Sequence, residues 1–188
     1  LGNGLGTWEV TIEPLIDGTY SITASAEDLS GNIGTSSTAL TLVIDTVAPN
    51  TPYLDLVDAS DSGRNNQDNV TNDNTPTVTT TANDDDRPQA AVIAPGNVFP
   101  HEVCYRIFDR VTPAGEVLLV DSCAAPGLST AGFFSDILPV LADGVHSLKL
   151  EVEDRAGNVS PDFLLQVSID TVAPAAPSID IDPASSDT

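Results

Sequence analysis

Oxygen ligands come in groups along this sequence. Asp84, Asp85 and Asp86 stand side by side, Glu153 and Asp154 adjoin close to Asn158, and Asp58, Asp61, Asp68, Asn72 and Asp73 share one stretch. Carboxylates and amides at such density suit a hard cation, since calcium fills its shell with about six to eight oxygens from carboxylates, amides and backbone carbonyls. None of the groups is an EF-hand: the 58–73 stretch lacks that loop's ligand ladder and its closing Glu. A second chemistry competes for the same residues. Asp-x-x-Gly-Asn, present in "EDLSGN" (27–32) and "EDRAGN" (153–158), is a good turn, with Asp and Asn bonding local backbone and Gly taking positive φ. A run of acids is also ordinarily a solvated face. Spacing alone leaves both readings open.

Catalytic chemistry finds little here. Gly-x-Ser-x-Gly, His-Glu-x-x-His and the P-loop are absent from the sequence, and with them the usual nucleophile, zinc and phosphate signatures. Two histidines leave little for acid–base work. "LGNGLG" (1–6) looks like a glycine-rich nucleotide loop, yet it leads into a strand pattern with no basic residue near and reads as a turn. Zinc has little to hold it: His101 is the one nearby partner for Cys104 and Cys123, and there is no Cys-x-x-Cys. The sequence reads as a non-enzyme.

The charge balance narrows the partners. Six basic residues against 28 acidic ones give a net charge of −22. That excludes nucleic acid, which needs basic patches to neutralise phosphate, and docking on an anionic membrane surface. A hydrophobic content of 40% excludes a disordered acidic tail. A folded chain with so many acids repels itself unless something neutralises them. No apolar run is long enough to cross a membrane as a helix. With no methionine and no signal segment, both ends read as cuts through a longer polypeptide that carries its targeting elsewhere.

The elements that must position the acids follow from a repeat and a period. "VIDTVAP" (43–49) returns as "SIDTVAP" (168–174), and "DGTYSITASAEDLSGNIG" (17–34) returns as "DGVHSLKLEVEDRAGNVS" (143–160), both about 125 residues on. Such self-similarity marks an array of modules: residues 1–47 as the end of one, 48–173 as a whole one, and 174–188 as a linker and the start of the next. The apolar period is two, in short runs bounded by Gly, Pro, Asn and Asp, which is the pattern of strands in a sandwich. The whole module divides into strands A 52–57, B 75–82, C 102–109, D 116–121, E 132–138, F 145–153 and G 163–169, and no amphipathic helix intervenes. Seven strands at this length read as an all-β, immunoglobulin-like sandwich, with residues 1–47 supplying strands E to G of the preceding module, E from "TWEVTI" (7–12). "LIDGTY" (15–20) has the look of a tyrosine corner before strand F. His146 stands where Tyr20 stood, which weakens the corner in the second copy and makes a catalytic role for His146 improbable on sequence grounds. Candidates for the core are Val78, Cys104, Tyr105, Ile107, Leu118, Phe134, Leu148, Leu150, Val152, Leu165 and Val167.

In such a sandwich the B–C and F–G loops share the end where the chain enters. Asp84, Asp85 and Asp86 then meet Glu153, Asp154 and Asn158, and the preceding module delivers Asp45 and the Asp17 turn to the same junction. The A–B acids Asp58, Asp61, Asp68, Asn72 and Asp73 gather at the exit end with Asp170 as their neighbour. Pro49 and Pro52 stiffen the connection.

Asp-x-x-Gly-Asn between two strands, followed by Asp-Thr-x-Ala-Pro, is similar to the bacterial immunoglobulin-like repeats of giant surface adhesins of the biofilm-associated and repeats-in-toxin types. "DASDSGRNNQDNVTNDNTPT" (58–77) resembles the opening segment of the same repeats; only 84–132 departs from them. The resemblance implies a tandem, calcium-loaded stalk on a bacterial surface, exported by a type I system. It raises the metal reading for Asp45, Asp84, Asp85, Asp86, Glu153, Asp154 and Asn158 at the junction; Asp61, Asp68, Asp73 and Asp170 at the exit end form the second candidate set, on a loop too long for a simple hairpin that could fold around an ion. Cys104 and Cys123 flank the turn "TPAG" (112–115) symmetrically, so they face each other across a hairpin, with a bulge at Gly115 able to shift the register. In an exported protein the expected outcome is a disulfide. The sequons at Asn69 and Asn158 carry no weight in a bacterial protein.

The expectation is therefore a segment of an extracellular adhesin whose modules are calcium-stiffened spacers, with adjacent modules as its partners and a host or biofilm ligand beyond. Without calcium, facing carboxylates repel and the junction swivels. A ligand-binding module using the 84–101 loop, or a fibre subunit completed by strands of a neighbouring copy, are the alternatives.

Overall fold

The computed structural model describes residues 9–82, 102–111, 115–124, 129–130 and 132–179. The Asp84, Asp85 and Asp86 run, His101 and the whole 84–101 loop lie outside them. The described elements are strands, with no helix among them: β1 (Gly18–Ile22), β2 (Leu40–Ile44), β3 (Tyr53–Leu56), β4 (Val70–Thr71), β5 (Thr77–Ala82), β6 (Glu102–Val111), β7 (Gly115–Asp121), β8 (Ser129–Thr130), β9 (Gly132–Ile137), β10 (Gly144–Asp154) and β11 (Phe163–Ile169).

Alternation decides which face each strand buries. In β5, Val78, Thr80 and Ala82 are buried while Thr77, Thr79 and Thr81 lie at the half-exposed face. In β10, Leu148, Leu150, Val152 and Asp154 point inward. Two sheets result, one ordered β3-β5-β9 and the other β4-β11-β10-β6-β7, with β8 added to β6. Their inner faces close a single core of Leu54, Leu56 and Val78 against Val103, Ile107, Leu148, Leu150, Val152, Val167 and Ile169. Tyr105 ties the sheets together. Its ring packs on Phe134 at 4.9 Å between centroids, and its hydroxyl donates to Asp136 on β9. Burial and that carboxylate push the phenol well above its usual range. This is the expected all-β, immunoglobulin-like sandwich.

The hairpin expected between strands C and D forms, β6 pairing antiparallel with β7 across the short connection from Val111 to Gly115. Two details differ from the sequence reading. The bulge sits not at Gly115 but between Ile107 and Phe108 on the β7 side: Val120 faces Ile107, whereas Leu118 faces Phe108. That extra residue sends Leu118, expected in the core, out to 48% exposure, while Leu119 and Val120 pack against the core instead. Finally, β4 was not legible as a strand, yet it pairs in parallel with the end of β11, Val70 opposite Ser168 and Thr71 opposite Ile169.

The first copy contributes two described strands rather than three. β1 and β2 pair with Tyr20 opposite Leu42 and Gly18 opposite Ile44, as β10 and β11 pair with His146 opposite Val167 and Gly144 opposite Ile169. Residues 9–12 of the expected strand E join no ladder. In the complete copy that strand (β9) is held by β5, and residues 1–47 contain no counterpart of β5. For the same reason Leu40 is 64% exposed and Ile22 36%, although Leu148, the counterpart of Ile22, is fully buried.

Candidate cation segment and the joint between repeats

The repeated sequence is a repeated set of hydrogen bonds. Tyr20 Oη donates to Ile16 O at 2.7 Å, the tyrosine corner expected from "LIDGTY". Contrary to expectation, His146 keeps that corner: its Nε2 lies 2.8 Å from Ala142 O, the equivalent carbonyl. Thr46 Oγ1 donates to Asp17, and Thr171 Oγ1 donates to Asp143 at 2.9 Å. Asp45 Oδ1 accepts from Val47 N, and Asp170 Oδ1 from Val172 N at 3.0 Å. "IDTVAP" therefore ends its strand with an Asx turn at the Asp and a Thr hydroxyl bound to the Asp-Gly corner.

The Asp-x-x-Gly-Asn turns are built alike. Asp28 Oδ1 accepts from Ser30 N and Asn32 N, and Oδ2 from Asn32 Nδ2; the Asn32 bonds and the Ser30 amide hold the Asp28 carboxyl below its usual range. Asp154 Oδ1 accepts from Ala156 N and Asn158 N, and Oδ2 from Asn158 Nδ2. Gly31 and Gly157 take φ of 83° and 90°, which a side chain would resist. The settings differ, because Asp28 is fully exposed whereas Asp154 is 3% exposed. Beyond its own turn Asn158 reaches the preceding repeat, its Nδ2 donating to Asp45 O at 3.2 Å. Pro49 and Pro52 are buried beside it in sequence.

Of the expected junction ligands, the fold thus brings Asp45, Asp154 and Asn158 together, joined by turn and backbone hydrogen bonds. Glu153 points to the other face of the sheet, where Arg106 Nη1 holds it at 2.7 Å and also meets Glu151, while Arg106 Nε meets Asp121. Glu153 also lies beside Cys104 and Cys123, their ligand atoms within 4.8 Å of one another. Those sulfurs are bonded as a disulfide with Cα atoms 5.0 Å apart, so they are not thiolates and offer a metal nothing.

The A–B segment has a different character. Asp73 is spent on local caps, accepting from Thr75 N and Thr75 Oγ1 through Oδ1 and from Ser60 Oγ through Oδ2. Asp68 Oδ1 accepts from Val70 N, and Asn72 Oδ1 from Ser62 Oγ at 2.7 Å. Gly63 lies so close to Val70 O that a Cβ would approach it to 2.6 Å, which pins the two limbs of the loop together. Asp58 is exposed. Asp61 is the exception: it is 3% exposed, its Oδ2 accepts Asn69 N at 3.2 Å, and its Oδ1 is buried with no hydrogen-bond partner among the described residues. Asn69, held at φ 57°, buries its own Oδ1 without a partner as well. Two acceptor-only oxygens, on residues joined through the Asn69 backbone amide, are each left unsatisfied, at a cost of about 1–3 kcal/mol apiece in the absence of a positive partner. A divalent cation is the partner that such oxygens fit. Asp170 is the neighbour at this end through its backbone, Asp170 N donating to Thr71 O at 2.9 Å. The acids marked this segment in the sequence; the decisive amide, Asn69, was not among the residues singled out, because an amide in a polar loop carries no periodic signal.

The disulfide yields a direct test. Intact mass should show no thiol open to alkylation until a reductant is added, and reduction should then lower stability by up to about 3 kcal/mol for a loop of this length. Two thiols alkylated without reductant would contradict it.

A family model described as a bacterial Ig-like domain matches residues 2–46 and 48–101. Among solved structures, the chain is similar to the PKD domain of an M14-like peptidase from Thermoplasmatales archaeon SCGC AB-540-F20, at 13% identity and TM-score 0.41, over 66% of this chain and 98% of that one. It is similar also to the CbhA fibronectin(III)-like modules of Clostridium thermocellum, at 13% identity and TM-score 0.42, over 90% of this chain and 72% of that one. No curated protein sequence matches it.

Proposed function

Because the chain belongs to the bacterial Ig-like domain family, we propose that it is a segment of an extracellular adhesin in which such units act as a calcium-stiffened spacer. The observation that carries the spacer reading is the bond from Asn158 Nδ2 to Asp45 O. The same side chain that closes a turn of one repeat grips the exit of the repeat before it. In an array, each joint then lies between an exit end, with its "IDT" cap and A–B segment, and an entry end, with its Asp-x-x-Gly-Asn turn.

Calcium acts at the exit side in this reading. Asp61 and Asn69 would hold it through their unpaired oxygens, and the ion would supply charge neutralisation and tie the A–B segment against β4 and the end of β11. A net charge of −22 gives the unneutralised array a reason to swivel. Magnesium, which keeps its waters and demands a tighter octahedron, substitutes poorly.

Spin labels at the exposed positions Thr41 and Gln166 report the angle across the joint. A narrow distance distribution is expected, broadening in Asn158→Ala while the core stays folded. In a tandem of two complete repeats, calcium should narrow the distribution across the second joint and lengthen the particle in small-angle scattering. Sodium chloride, which only screens, should do neither. A broad distribution indifferent to Asn158 and to calcium would remove the spacer reading.

A further inference from the structure

His146 is the one place where the second copy departs chemically from the shared corner. Tyr20 has a single donor and makes a single bond to Ile16 O. The imidazole has two nitrogens, and each faces an acceptor: Nε2 lies 2.8 Å from the Ala142 carbonyl, and Nδ1 lies 2.7 Å from Asp109 Oδ2. A neutral ring carries one N–H and satisfies only one of them; the imidazolium satisfies both. Asp109 is 5% exposed, so its carboxylate has no water to fall back on.

We propose that His146 is a proton-operated latch on the exit corner of the repeat, closed as the imidazolium and opened by deprotonation. On losing a proton the ring keeps the stronger bond, which is the charge-assisted one to buried Asp109, and retains its hydrogen at Nδ1. Nε2 then turns a lone pair toward Ala142 O, and the corner bond is lost. The next residue along, Asp143, accepts from both Thr171 N and Thr171 Oγ1, and Thr171 lies just past β11, where the chain leaves for the following repeat. The carbonyl that the latch releases and the carboxylate that holds the exit therefore belong to adjacent residues.

The groups packed around the ring support this assignment. β6 contributes Asp109, β11 places apolar Val167 opposite, and the segment before β10 contributes the Ala142 carbonyl, with the Asp143 carboxylate engaged by Thr171. Arg110 and Lys149 point to the opposite face of the sheet, into pairs with Glu116 and Glu151. Burial pulls the imidazole pKa down, but the Ala142 carbonyl and the Asp109 hydrogen bond and charge outweigh it, and the value is raised above the ordinary 6.5. A raised folded-state value means that the stabilisation is complete below the unfolded-state pKa and is lost as pH rises through the folded-state one.

The test is an NMR titration of the whole chain carrying His101→Gln, which leaves His146 as the only histidine. The His146 midpoint is expected above 6.5, with the amide shifts of Asp143 and Thr171 moving at the same midpoint. Asp109→Asn gives Nδ1 a donor to accept from, so the neutral ring keeps Nε2–H on Ala142: the midpoint should fall and the Thr171 shift should cease to follow pH. His146→Tyr, which restores the other copy's corner, should abolish the titration at Thr171 and serves if Asp109→Asn fails to fold. A wild-type midpoint at or below 6.5 overturns the latch. A raised midpoint with Thr171 unmoved overturns its coupling to the exit.

Discussion

Asp154→Ala is expected to lower the melting temperature of the chain by roughly 6–12 °C. The carboxylate is buried at 3% exposure and accepts from Ala156 N, Asn158 N and Asn158 Nδ2 at 2.7, 2.9 and 2.8 Å. Removing it strands two amides of the turn and frees the Asn158 side chain that reaches Asp45. Hydrogen bonds to a charged acceptor contribute about 1.5–3 kcal/mol each and do not add fully, so a total near 3 kcal/mol is expected. At about 2–4 °C per kcal/mol for a chain of this size, that gives the shift above. Asp28→Ala is the internal control: the same three bonds in a fully exposed turn, whose donors water can take over. Scanning calorimetry of the two variants should separate them clearly; equal shifts would mean that the turn's bonds, and not their burial and reach across the joint, set the effect. The sequence suggests a loop residue whose loss the sandwich tolerates. The structure places Asp154 at the inward-facing end of β10, so the substitution weakens both the joint and the unit.

What could be read from the sequence and what could not divide along physical lines. β11 was legible to the residue because Phe163–Ile169 alternates cleanly and is bounded by polar residues on both sides. The Cys104–Cys123 pair was legible because a hairpin turn fixes which residues oppose. Periodicity reports a strand's faces but not its neighbours, which is why the parallel pairing of β4 with the end of β11 could not be read. A single extra residue inverts every face beyond it, which is why Leu118 was expected inside. Leu138 is buried one residue past the end of β9, and Leu141 is buried outside any strand, held by Leu141 N donating to Asn74 O, a position that no periodic pattern announces. The turn-or-metal ambiguity of the acids was equally unreadable, since it depends on which carboxylate oxygens already have donors. Asp28, Asp73 and Asp154 do on both oxygens; Asp61 does not.

That difference at Asp61 predicts a reversal of sign. In chelator, Asp61→Asn should be neutral or stabilising relative to wild type, because it removes a buried, half-unpaired charge while retaining an oxygen to accept from Asn69 N. In calcium the order should invert. A site occupied at about 100 times its dissociation constant gains about 2.7 kcal/mol, or roughly 5–11 °C in melting temperature for this size of chain, and the variant, with one carboxylate fewer, should gain little of it. The melting curves of wild type and variant, plotted against free calcium, should therefore cross. Sodium chloride at high concentration isolates the general effect: screening relieves acid–acid repulsion over the whole surface and should raise both proteins together without a crossing. Magnesium should raise the wild type much less than calcium does. If wild type and Asp61→Asn respond to calcium in parallel, the buried oxygens of Asp61 and Asn69 are not where the ion binds, and the stiffening assigned to this segment has no seat in it.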